Sequence, residues 1–175
     1  MISLNNKITN LDLSYSGLES IPVNIKILTN LTTLNLSANK LKQLPDELIH
    51  TNLQSLNLTS NQLLTVPKVL CKLTQLTLLS LSDNWLILLP DELFNLTQLT
   101  ILYLSCNKLT YLPKDIGRLT QLTTLNLSRN YLTQLPDELF NLKQLTTLYL
   151  SFNQLKDISS NIDHITTLDL TGNNL

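Results

Sequence analysis

The chain has 175 residues, a length that suits one domain spanning 1–175, with 43% hydrophobic residues and only 5% aromatic. With 12 basic and 13 acidic residues the net charge is −1, which excludes a broad electrostatic footprint for nucleic acid or an anionic membrane. The opening MISLNNKITN lacks the basic region and apolar run of a secretory signal, and no stretch approaches the ~18 apolar residues of a membrane span.

One line is written again and again. Leu122–Leu142 reads LTTLNLSRNYLTQLPDELFNL, and copies of its skeleton begin at Ile8, Leu31, Leu53, Leu76, Leu99, Leu122, Leu145 and Ile165. The spacings are 23, 22, 23, 23, 23, 23 and 20 residues. The ninth position reads Ser16, then Asn39, Asn61, Asn84, Asn107, Asn130, Asn153 and Asn173. Leu-Pro pairs recur at Leu44-Pro45, Leu89-Pro90, Leu112-Pro113 and Leu135-Pro136, with Ile21-Pro22 and Val66-Pro67 in the same place. This pattern resembles the leucine-rich repeats, and its Leu-Pro pair is similar to the intracellular 23-residue class. That class includes Ras-suppressor-like scaffolds and repeats of bacterial and viral host-interacting proteins. The resemblance covers roughly residues 8–175. It implies an α/β solenoid: a right-handed coil of eight repeats with a parallel concave sheet and short helical or 3-10 convex segments.

In chain order, Met1–Lys7 is too short to be a capping domain. The first repeat departs at Ser16, as a terminal repeat covered on one side only is expected to do. In repeats two to six the L-x-L segments, such as Leu34–Leu36 and Leu102–Leu104, alternate apolar and polar, which is the strand period. The two Leu face inward and the residue between faces out. At ~4.8 Å per repeat these strands make a parallel sheet roughly 35–40 Å long.

The chain then turns, leaving backbone N–H and C=O groups inside the coil. An Asn side chain offers both donors and an acceptor, so the ninth-position column reads as a structural ladder. After the Leu-Pro pair come PDELIHT, PKVLCKL, PDELFNL and PKDIGRL. Pro suits the first turn of a helix and the acidic pairs Asp46-Glu47, Asp91-Glu92 and Asp137-Glu138 suit its positive end. Phe94 and Phe140, at the nineteenth position, resemble the family's phenylalanine spine and belong to the core. In repeat seven the Leu-Pro pair becomes Ile158-Ser159 and the unit shortens. Repeat eight supplies a strand and Asn173, then stops at Leu175 without a polar cap. Two such apolar ends would stack, extending the sheet into a homodimer.

Chemistry is sparse. His50 and His164 lack metal-ligand partners at useful spacing, and no C-x-x-C, H-E-x-x-H, G-x-G-x-x-G or phosphate-binding loop is present. The Asp-Glu pairs are adjacent in sequence and do not converge as an acid/base dyad would. No catalytic residue, metal or cofactor is expected. Cys71 and Cys106 fall at the nineteenth and eighth positions, on different sides of the coil, so no disulfide is expected. Family members outside the cell usually have Cys-rich caps, and this chain has none. The sequons at Asn30, Asn35, Asn57, Asn95 and Asn126 read as by-products of the repeat wording N-L-S and N-L-T. The expectation is a cytoplasmic protein in a reducing compartment.

The outward face of the sheet is where side chains are free of packing demands. The fifth position reads Asp12, Asn35, Asn57, Ser80, Tyr103, Asn126, Tyr149 and Asp169. The third, eighth and tenth positions add to the same face. The first three repeats are small and polar there. Repeats four to seven gather Leu78, Trp85, Ile101, Tyr103, Tyr131, Tyr149 and Phe152 around Asp83 and Arg129. Aromatics with Arg are enriched at binding hot spots, whereas Tyr and Thr also serve simply as good strand formers. Ile87 and Leu88 either extend this patch along the edge or are buried in the descending segment. The expected function is non-enzymatic binding of another protein on the concave sheet, as an intracellular scaffold, adaptor or host-directed effector. The alternatives are substrate recognition for a ubiquitin ligase or kinase whose catalytic domain is missing, and a self-assembling array.

Overall fold

A computed structural model of the protein describes residues 7–158 and 161–175. Met1 to Asn6, and Ser159 of the altered Ile158-Ser159 pair, lie outside the described residues. Each repeat contributes one three-residue strand: β1 Asn10–Asp12, β2 Thr33–Asn35, β3 Ser55–Asn57, β4 Leu78–Ser80, β5 Ile101–Tyr103, β6 Thr124–Asn126, β7 Thr147–Tyr149 and β8 Thr167–Asp169. They form a single sheet in sequence order, every neighbouring pair parallel. The register advances one repeat per strand, pairing Leu102 with Leu125 and Tyr103 with Asn126. Equivalent residues therefore stack in columns, and whatever one position does is repeated along the coil.

The columns of Leu make the core. In repeat five, Leu99, Leu102, Leu104, Leu109, Leu112, Ile116 and Leu119 are all buried. Each is worth about 1.5–3 kcal/mol when removed from water. Phe94 and Phe140 are buried among them, as expected for the phenylalanine spine. Gly117 occupies the same column between them, and a Cβ there would come within 3.0 Å of Glu138 Cβ.

The convex side carries short 3-10 helices at Val23–Ile27, Asp46–His50, Leu70–Lys72, Asp91–Asn95 and Lys114–Arg118. A single α turn, α1, spans Asp137–Phe140. Pro sits one place earlier than the sequence suggested: Pro45, Pro90 and Pro136 are extended residues preceding the helix, with φ of −73° and ψ near 145°. Their carbonyls accept the N–H groups of Leu48, Leu93 and Leu139, so the ring fixes the entry and the acidic pair opens the helix. The 22-residue repeat loses its residue at the helix exit. Thr51 takes the place of the usual Leu, is buried, and donates its hydroxyl to the Leu48 carbonyl at 2.6 Å.

Candidate functional site on the concave sheet

Each ninth-position Asn ties two repeats together. Asn107 Nδ2 donates to the Leu81 carbonyl of the preceding repeat at 2.9 Å and to Leu104 of its own at 3.1 Å. Its Oδ1 accepts the Leu86 N–H at 3.0 Å. Asn39, Asn61, Asn84, Asn130 and Asn153 make the same set and are buried, while Asn173 makes it half-buried. Ser16, at the ninth position of the first repeat, donates to the Ser14 carbonyl.

The residue just before the Asn has a geometry that sequence reasoning missed. Tyr15, Ala38, Ser60, Asp83, Cys106, Arg129 and Phe152 all have φ between 53° and 56°, the left-handed region, and Gly172 follows at 72°. A non-glycine residue there costs on the order of 1–2 kcal/mol. The turn is held because each of the seven non-glycine N–H groups donates to a carbonyl of the next repeat, as Cys106 does to Ser128 at 2.9 Å. The only signal available was Gly172 standing in the same column. In this column Tyr15, Asp83, Cys106, Arg129 and Phe152 are exposed, so these five turns are both strained and displayed.

A second missed role belongs to the fifth position. Asp12, Asn35, Asn57, Asn126 and Asp169 each accept the N–H two residues on with the side-chain oxygen, at 2.8–3.1 Å. These are Asx turns that cap the strand end. At Asn35, Asn57 and Asn126 the N-L-S and N-L-T wording therefore records a cap and the residue it caps. The Ser14 hydroxyl and N–H together hold the Asp12 carboxyl below its ordinary value, and Thr171 does the same for Asp169, its N–H leading. The second position is a further column, in which Thr32, Thr77, Thr100, Thr123, Thr146 and Thr166 donate to the preceding repeat's carbonyl.

Three of the fifth-position residues have no such carboxyl or amide group: Ser80, Tyr103 and Tyr149. Ser80 is buried and shares a 2.6 Å hydrogen bond with the Thr59 hydroxyl. Tyr103 and Tyr149 are half-buried, on either side of Asn126, and Leu78 and Ile101 lie half-buried beside them in the third-position column. On the rim, Trp85, Tyr131 and Phe152 are 44%, 51% and 49% exposed, with Asp83 and Arg129 exposed in the same band. Of the nine residues singled out from sequence, all in repeats four to seven, four are half-buried on the strands and five are exposed in the segments that follow them. Ile87 and Leu88 are exposed at 53% and 43%, along the edge beyond Trp85. Tyr15, 85% exposed, breaks the small polar character of the first three repeats.

The charged groups of this face differ in how they are held. Asp83 accepts a hydrogen bond from the Ser60 hydroxyl at 2.7 Å. Arg129 stacks over the Phe152 ring, 4.5 Å from its centroid. Elsewhere, a cleft of about 590 Å³ lies between the convex segments of repeats three and four, lined by Val66, Pro67, Cys71 and Leu88 with Lys68 and Lys72. Burial, and then Glu92, push the Cys71 thiol up, which favours its protonated form. Both cysteines are free thiols. Among the described residues no cluster of His, Cys, Asp and Glu could hold a metal ion, and no helix is long and apolar enough to cross a membrane.

Solved structures with this coil come from distant sources. A leucine-rich repeat protein of Leptospira interrogans is 27% identical, with a TM-score of 0.70 over 95% of this chain and 61% of that one. An internalin of Listeria monocytogenes is 27% identical, with a TM-score of 0.85 over 96% of this chain and 49% of that one. The leucine-rich repeat ectodomain of a plant membrane receptor kinase from Arabidopsis thaliana, in complex with Casparian strip integrity factor 2, is 33% identical. Its TM-score is 0.83, over 98% of this chain and 22% of that one. The chain thus spans less than two thirds of each. No curated protein matches it in sequence. The leucine rich repeat profile matches residues 29–86, 74–132 and 120–175, and with the repeat geometry above this places the chain in the leucine-rich repeat family.

Proposed function

We propose that this chain, as a member of a family whose proteins are generally non-catalytic protein-interaction modules, binds another protein on the concave face of repeats four to seven, through Leu78, Asp83, Trp85, Ile101, Tyr103, Arg129, Tyr131, Tyr149 and Phe152. The observation that carries the reading is the break in the fifth-position column. Where Asn35 and Asn57 spend a side-chain oxygen on a backbone N–H, the position serves the strand end; where Tyr103 and Tyr149 stand in the same column, half-buried aromatic surface is presented. Aromatic side chains recessed among apolar neighbours and ringed by charge are the composition of an interface centre. The role is that of an intracellular scaffold or adaptor, or of a host-directed effector, of the Leu-Pro class.

The test is capture by paired baits. Tyr103→Ala with Tyr149→Ala removes surface that supports no backbone bond, so its melting temperature should stay close to wild type. A protein retained by wild type and lost by the variant is the expected result. Equal retention by both would remove the concave-site reading.

A further inference from the structure

The concave patch contains one cation whose position is already fixed. Arg129 occupies the left-handed turn of repeat six, with φ 56°, and its N–H is anchored to the Ser151 carbonyl at 2.7 Å. The guanidinium lies over the Phe152 ring at 4.5 Å. That ring is packed against Gly172, where an added Cβ would come within 2.8 Å of Phe152 Cδ1. Backbone, guanidinium and the ring beneath it are thus held in turn, so less side-chain freedom is lost on binding than for an ordinary surface arginine.

Among the described residues the guanidinium N–H groups of Arg129 make no hydrogen bond or ion pair, so the ring contact leaves them to a partner. The ion pair formed among the described residues is Arg118 with Asp115, on the convex side. The acidic groups of the concave face are engaged elsewhere, Asp83 by Ser60 and Asp169 by the Thr171 N–H. The planar fork of Arg129 is therefore displayed, with Tyr131 two residues along the turn and Tyr149 in the adjacent strand β7. A planar fork matches a carboxylate through two parallel hydrogen bonds. Across repeats four to eight, Lys108 and Arg129 stand against Asp83 and Asp169, so the face is near neutral overall and suits a single negative charge.

We infer that the partner presents an Asp or Glu carboxylate to the fork of Arg129, next to an apolar or aromatic residue seated among Tyr103, Tyr131 and Tyr149. This rests on the concave patch being the partner site and names the chemistry it selects.

Random linear peptides displayed on phage, selected against the folded wild-type protein, test it. The recovered peptides are then measured against Arg129→Glu, Arg129→Gln and the Tyr103→Ala/Tyr149→Ala variant, each checked for an unchanged melting transition. The expected peptides carry a fixed Asp or Glu beside an apolar residue. They bind Arg129→Glu weaker by on the order of tenfold or more, and Arg129→Gln is likewise weakened. Selection on Arg129→Glu should return Lys or Arg at the fixed acidic place. Peptides without a fixed acid, peptides that bind both Arg129 variants as wild type does, or no enrichment at all would overturn the inference. Acid-free peptides that are lost on the tyrosine variant would leave the concave site standing and remove only the carboxylate. Peptides retained on the tyrosine variant would remove both.

Discussion

Repeats two and three and repeats five and seven share one framework and differ in what they show. Asn61 and Asn107 make the same bonds to two turns, and the same leucine columns are buried beneath them. At the fifth position the two regions part. Asn35 and Asn57 turn back to the N–H groups of Ser37 and Thr59, whereas Tyr103 has no amide to turn. Repeat six returns to the capped form with Asn126, so the two tyrosines are separated by a closed strand. The difference teaches that positions satisfying buried backbone groups repeat along the whole coil. Positions released from that duty are where a surface can be written.

The largest effect that could break the comparison lies in the shared framework. Asn61→Ala and Asn107→Ala should each destabilise by about 1–3 kcal/mol, because both leave buried turn groups unpaired. Chemical denaturation of the two variants should give matching losses. A wild-type transition for either would mean the ladder is not common to both regions.

Gly172→Ala sharpens the difference at the far end of the patch. The left-handed backbone alone costs about 1–2 kcal/mol with a Cβ, and the contact with Phe152 adds to it. The displaced ring should also loosen Arg129, so stability and peptide binding fall together. Loss of stability with binding unchanged would separate the stack from the site.

The smallest effect concerns pH, and it belongs to the closed ends of the sheet. Asp12 and Asp169 are held below their ordinary value by the groups they cap, so folding favours the carboxylate form. Their contribution is complete above about pH 4, the unfolded value, and is lost as pH falls through the lower folded value. Asp12→Asn with Asp169→Asn keeps the acceptor oxygens and removes the titration. Its melting temperature should therefore fall less than that of wild type on going from pH 5 to pH 3 (about the carboxylate range). Parallel acid profiles would show that the caps carry no net linkage.

The framework was legible because it is set by backbone demands that recur every turn. Leu at the fourth and sixth positions announced the strand, and Asn at the ninth announced its buried turn. What escaped was geometry that many side chains tolerate. Tyr15, Arg129 and Phe152 give no local hint of a left-handed residue, since the cross-coil hydrogen bonds impose it. The Asx caps at Asn35, Asn57 and Asn126 were hidden in wording that also spells a sequon. Pro was placed one residue late because its fixed φ suits both an extended entry and a first helical turn. The half-burial of Leu78, Ile101, Tyr103 and Tyr149, and the exposure of Ile87 and Leu88, depend on how neighbouring repeats cover one another. No single repeat encodes that.

The measurement closest to the central claim is site-specific photo-crosslinking to a selected or captured partner. A photoreactive phenylalanine analogue is placed at Tyr103 in one protein and at Asn35, the matching position of the capped region, in another. Covalent partner adduct from position 103 and none from position 35 is the predicted result. Adduct from position 35 alone, or equal adduct from both, would contradict the assignment of binding to the uncapped repeats.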